Sequence, residues 1–167
     1  MSRPLETRHI AALSVAAAAL ALAVALASQH WGGLVPCALC LLERWPYRAA
    51  IVLGLAALLL PPRAARWVLG LLLLAMLAGV ALAAIHVGVE QGLWPSPLPE
   101  CAGPQFTAGT LAQRLAEMPA HPAKPCDAPS YLIPGLPLSM AAMNLIYALA
   151  FALGLAISLV RDAKVRR

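Results

Sequence analysis

The stretch WVLGLLLLAMLAGVALAAIHVGV, residues 67–89, runs for 23 residues without an Asp, Glu, Lys or Arg, and carries one histidine, His86, near its end. About 20 apolar residues, each rising 1.5 Å, cross the hydrocarbon core of a bilayer. Backbone in lipid has no water to bond, so such a run folds as a helix that satisfies its own N–H and C=O groups. Three further runs have the same character: Ile10–Ser28, Trp45–Leu60, broken only by Arg48, and Leu138–Val160. The second is short, so its helix is expected to begin upstream, near Leu41 to Glu43. The expected fold is an all-α, polytopic membrane protein: a four-transmembrane-helix bundle forming one membrane domain over residues 1–167. Its spans fall at about 10–28, 43–61, 67–89 and 138–160, and its two outer loops at about 29–42 and 90–137.

Composition agrees. Hydrophobic residues make up 62% of the chain and charged residues 11%, against about 45–50% and about 25% for a soluble domain. The net charge of +5 points to orientation and not to nucleic acid, because of where the cations lie. Arg3, Arg8, Arg63, Arg66, Arg161, Lys164, Arg166 and Arg167 fall at the two ends and in the turn between spans two and three. Arg44, Arg48, Arg114 and Lys124 fall in the other two connections. Lys and Arg mark the cytoplasmic side, which places both termini inside and both loops outside. All four cysteines, Cys37, Cys40, Cys101 and Cys126, then lie on the outer side, where disulfides persist.

Arg3 and Arg8 followed by an apolar run ending in Ala25-Leu-Ala27 resemble a signal peptide, but the run is longer than the usual 7–15 residues, and an uncleaved span is expected. Trp31 reads as an interfacial anchor. Pro46 suits the first turn of span two, where its missing N–H costs nothing. In the second loop, ten of the chain's 15 prolines lie between Pro95 and Pro137, the composition of an irregular, mobile segment. Within it Leu111, Leu115 and Met118 repeat at helical spacing and Thr110/Gln113 can form a capping box, so a short surface helix is expected over Thr107–Met118.

The chemistry centres on Cys37-Ala-Leu-Cys40-Leu-Leu-Glu43-Arg44. If a helix starts at Cys40, its thiol and the Arg44 guanidinium share a face, with Cβ atoms about 5–6 Å apart. A helix N-terminus and a neighbouring cation both favour the reactive thiolate. A zinc site would need further ligands. Cys101 and Cys126 stand alone, and His9, His30, His86 and His121 show no ligand spacing, so no metal is expected. Cys101 and Cys126 could be a structural disulfide, contributing about 3 kcal/mol in the chain-entropy model. A proline-rich loop has little fold to stabilise, and a second, mobile redox pair is the preferred reading. Two pairs on one side of a membrane suggest a relay by thiol–disulfide exchange.

These residues together resemble the DsbB family: four spans, Pro36-Cys37-Ala-Leu-Cys40 with Glu43-Arg44, His86 late in span three, Pro95-Ser-Pro97 then Cys101, and Cys126. The resemblance covers about residues 10–160. It implies an inner-membrane thiol:quinone oxidoreductase that reoxidises a periplasmic thioredoxin-like dithiol oxidase of the DsbA type. Cys101, paired with Cys126, would take electrons from that partner. They would pass to Cys37/Cys40 through a transient Cys37–Cys126 bond. Cys40 would meet the ring of ubiquinone or menaquinone as a thiolate or covalent adduct. Arg44 would stabilise developing negative charge there, with His86 and Glu43 close by. The chain departs from the family in lacking a tryptophan after Gly135–Met140, and it adds Arg48, read as a snorkelling surface residue. A quinone reductase resembling vitamin K epoxide reductase is the enzyme alternative, although that family carries its Cys-x-x-Cys late in the bundle. A membrane protein stapled by two inert disulfides is the non-enzymatic one.

Overall fold

The computed structural model describes residues 4–102, 110–116, 124–133 and 135–165. Six α-helices follow one another: α1 Pro4–His30, α2 Ala38–Leu42, α3 Arg44–Leu59, α4 Pro62–Glu90, α5 Leu111–Ala116 and α6 Met140–Val165, with a 3-10 turn at Pro99–Ala102. Among the described residues there is no strand. Three helical stretches are long and apolar enough to cross a membrane: Glu6–His30, Pro62–Glu90 and Met140–Lys164. α3, with 16 residues, is only about 24 Å long. Of the cations weighed above, Arg3, Arg166 and Arg167 lie outside the described residues, as do Thr107 and Met118 of the expected loop helix.

α3 packs against α1 on one side and α4 on the other, α6 packs against α4, and a lighter α1–α6 contact completes the bundle. Small residues set the spacing. Ala11, Ala18, Ala50, Ala57, Ala65, Ala148 and Ala152 form the core with Leu69, Leu72 and Met76. Backbones approach closely because little side chain intervenes, the way helices associate where lipid removes the hydrophobic drive. At Gly54 a Cβ would stand 2.5 Å from Val15 Cγ2, so glycine there lets α1 and α3 meet. Larger side chains such as Leu13, Val52, Leu74 and Leu153 face outward, an arrangement suited to lipid and costly in water.

The helix breaks have local causes. Pro46 has no N–H for the carbonyl of Leu42 and its ring crowds that oxygen, so the helical path is interrupted one residue on, at Glu43. Pro61 and Pro62 force a two-residue turn: Leu60 and Pro61 are extended, and Pro62 starts α4. α4 ends in a Schellman motif, with Leu93 N–H donating to Gly88 O (2.9 Å), Gly92 N–H to Val89 O (3.1 Å), and Gly92 at φ +69. Ser139 caps α6 by accepting from Ala142 N–H (3.1 Å), and its hydroxyl donates to Glu90 at the end of α4. At the opposite end of the bundle Arg66 pairs with Asp162 (3.3 Å).

Candidate functional site

α2, the end of α4 and the turn after Leu98 bring all four cysteines into one apolar cluster with Leu39 and Val89. Cys101 and Cys126 form a disulfide, with Cα atoms 4.9 Å apart, and Cys126 N–H donates to Cys101 O (3.3 Å). Cys37 and Cys40 are free thiols with sulfurs 2.7 Å apart. The sequence reading puts the 101/126 pair on a mobile loop. Its surroundings are instead packed: Cys126 is 1% exposed and Cys101 4%, because the Schellman turn at Gly92 reverses the chain back over α2. Elsewhere in that loop, Thr110 and Gln113 exchange capping-box bonds at the start of α5.

The expected cap at Cys40 moves three residues upstream. α2 begins at Ala38, so Cys37 occupies the N-cap and its sulfur accepts from Cys40 N–H (3.2 Å). The Cys40 thiol beside it lowers the Cys37 pKa from the ordinary range, and that bond outweighs the opposing effect of burial.

Behind Cys37 lies a chain of polar groups. His86 Nε2 is 3.5 Å from Cys37 Sγ, and His86 Nδ1 is 2.9 Å from Glu43 Oε1. Asn144 Nδ2 donates to Glu43 Oε2 (2.9 Å), and Tyr47 OH donates to Asn144 Oδ1 (2.7 Å). These contacts join α2, α3, α4 and α6. Arg44, also buried, donates through Nη1 to Gln29 Oε1 of α1 (2.9 Å), while its Nε is buried with no partner. Arg48 turns away, its guanidinium 5.2 Å over the Trp45 ring.

Cys37, Cys40, Glu43, Arg44 and His86 all border a cavity of about 290 Å³, close to the lower end of the roughly 300–1,000 Å³ usual for small-molecule sites. Its walls are mainly apolar: Leu20, Val24 and Ala25 of α1 face Met140, Met143 and Tyr147 of α6. Leu20 and Val24 are also exposed on the outer face, so the cavity reaches the surface where α1 and α6 touch least. Among the residues that line it, Arg44 keeps a buried N–H without a partner. Sequence reasoning missed Gln29, Tyr47 and Asn144, which belong to no motif.

The family described as DsbB, Disulfide bond formation protein DsbB, matches residues 7–158. Among curated relatives, Disulfide bond formation protein B of Azoarcus sp. (strain BH72) is 40% identical over 82 residues. That match covers 48% of this chain and 48% of the relative, so the chain spans about half the length of the curated relative it matches. No solved structure matches.

Proposed function

Because the chain belongs to the DsbB family, we propose that it is a thiol:quinone oxidoreductase of the bacterial inner membrane. It generates disulfides for a periplasmic thioredoxin-like dithiol oxidase of the DsbA type. The bundle spans the membrane four times, α2–α3 together forming the second span, with both termini cytoplasmic and both loops periplasmic. One observation carries the reading: a disulfide and a dithiol share one buried cluster, and the dithiol borders a mainly apolar cavity.

On this reading the partner's two thiols become a disulfide, and their two electrons and two protons reduce Cys101–Cys126. Cys126 then attacks Cys37 of an oxidised Cys37–Cys40 pair, and Cys40 leaves as the thiol. Cys101 resolves the Cys37–Cys126 bond. The products are the Cys101–Cys126 disulfide and the Cys37/Cys40 dithiol, the distribution described above. A bound quinone, ubiquinone or menaquinone, supplies a lipid-soluble acceptor for two electrons and two protons.

Cys40, Arg44, His86 and Glu43 would hold that acceptor. Cys40 is the less buried thiol and faces the cavity, and Arg44 Nε offers a hydrogen bond where negative charge develops. A Glu43 carboxylate only accepts, so His86 carries its proton on Nδ1 and presents Nε2 to the Cys37 thiol as proton acceptor.

The test is quinone reduction by the purified protein in detergent, driven by a reduced thioredoxin-like dithiol protein. Turnover is expected in the wild type, none in Cys40→Ser, and none with the protein donor in Cys101→Ser. Partner oxidation at the normal rate in Cys101→Ser would remove the second loop as the electron inlet.

A further inference from the structure

We propose that Asn144 and Tyr47 are positioning residues for the Cys37 thiol, acting in series through Glu43 and His86. The proposal rests on the thiol:quinone reading above and adds two residues to its machinery.

Glu43 sits in the break between α2 and α3, is 7% exposed, and caps no backbone group with its side chain. Both of its oxygens are committed, Oε1 to His86 and Oε2 to Asn144. The donors can be assigned in order. A carboxylate only accepts, so the Asn144 amide must present its Nδ2 to Glu43. Its Oδ1 then faces Tyr47, whose hydroxyl must donate. One orientation of each group satisfies the whole row, and it leaves His86 Nε2 aimed at Cys37.

Asn144 lies on α6, 101 positions from Glu43. Within this row it is the contribution of α6, and it holds the carboxylate oxygen that His86 does not. Without it, Glu43 keeps one ligand and is free to turn about its own side-chain bonds. The imidazole then loses the partner that fixes its tautomer and ring orientation.

The charged and titratable groups that line the cavity with Cys37 are Cys40 of α2, Glu43 at the break, Arg44 and Tyr47 of α3, His86 and Glu90 of α4, Lys124 of the second loop and Tyr147 of α6. Asn144 carries no charge, so replacing it changes the titration of Cys37 only by moving these groups.

The experiment is the pH profile of Cys37 alkylation by iodoacetamide in the full-length reduced protein in detergent, read by mass spectrometry. Asn144→Leu preserves size and removes both hydrogen bonds. Its Cys37 midpoint is expected to move by about one pH unit, with kcat for quinone reduction lowered. Tyr47→Phe should shift the midpoint the same way by less, and should add nothing in an Asn144→Leu background. An unchanged midpoint in Asn144→Leu, or additive shifts, would overturn the proposal. If Asn144→Leu does not fold, Tyr47→Phe decides alone, since it keeps the ring, and an unchanged midpoint there is equally fatal. The alkylation profile needs neither quinone nor partner. A wild-type protein that alkylates as expected but never reduces quinone therefore defeats the reading of the previous section and not this one.

Discussion

His86 Nε2 stands 3.5 Å from the sulfur of Cys37, a residue 49 positions earlier in the chain, while Glu43 holds the other face of the same ring. The contact gives the two cysteines of the motif different tasks. Both border the cavity, but Cys37 is the buried one, with His86 as an acceptor for its proton, whereas Cys40 is only partly buried.

This asymmetry predicts a distinctive alkylation profile for Cys37. A cysteine with a lowered pKa is a thiolate above its midpoint and loses reactivity as pH falls through it. Cys37 should therefore react with iodoacetamide at a midpoint below the ~8.5 of an unperturbed thiol. A Cys37 midpoint at or above that value would overturn the assignment.

Arg44 and Gln29 predict a graded effect on quinone affinity. Arg44→Ala removes the unpartnered buried donor at the cavity wall, and quinone KM should rise about tenfold with all four cysteines intact. Gln29→Leu leaves the guanidinium in place but frees its Nη1, so a rise of about threefold is expected. Steady-state kinetics with a short-chain quinone measures both. Equal KM values in wild type and Arg44→Ala would exclude the arginine from quinone binding.

Gly88 predicts a structural effect. A Cβ there would lie 2.0 Å from the Trp94 ring, whose Nε1 donates to Ile85 O (3.1 Å). Gly88→Ala should expel the indole and cost about 1–3 kcal/mol from lost packing and the broken bond. Tryptophan fluorescence should shift to the red, with a lower Tm in detergent. An unshifted spectrum would show that the ring can accommodate the methyl group.

Much of this architecture is legible in the residue pattern, for physical reasons that differ by element. The run at 67–89 reads as a helix because lipid allows its backbone no alternative, and α4 extends it from Pro62 to Glu90. The Thr110–Gln113 cap is legible because capping is local in sequence. Cys37, Cys40, Glu43 and Arg44 stand out as reactive or charged side chains at an apolar border. Asn144 and Tyr47 do not, since each is a single polar residue in a helix and becomes informative only when α3 and α6 meet. The helix starts at Ala38 and not at Cys40, with the Cys37 sulfur as its cap, while Pro46 breaks the helical path at Glu43 and leaves α2 as a separate turn. The packing of Cys101 and Cys126 was hidden because proline content reports a loop's local stiffness and says nothing of the surface it folds onto.

The burial of the Cys101–Cys126 bond has a further consequence, one of insulation. Exchange needs an attacking sulfur to reach the disulfide, and this one is covered by Leu39, Val89 and Leu98. A disulfide tied to respiration yet open to solvent would be a short circuit, drained by any small thiol diffusing past. Here a reductant must first displace part of the cover, which a docking protein surface can do and a free tripeptide thiol does poorly. Reduced glutathione should therefore be a far slower electron donor than a folded dithiol protein of the same potential.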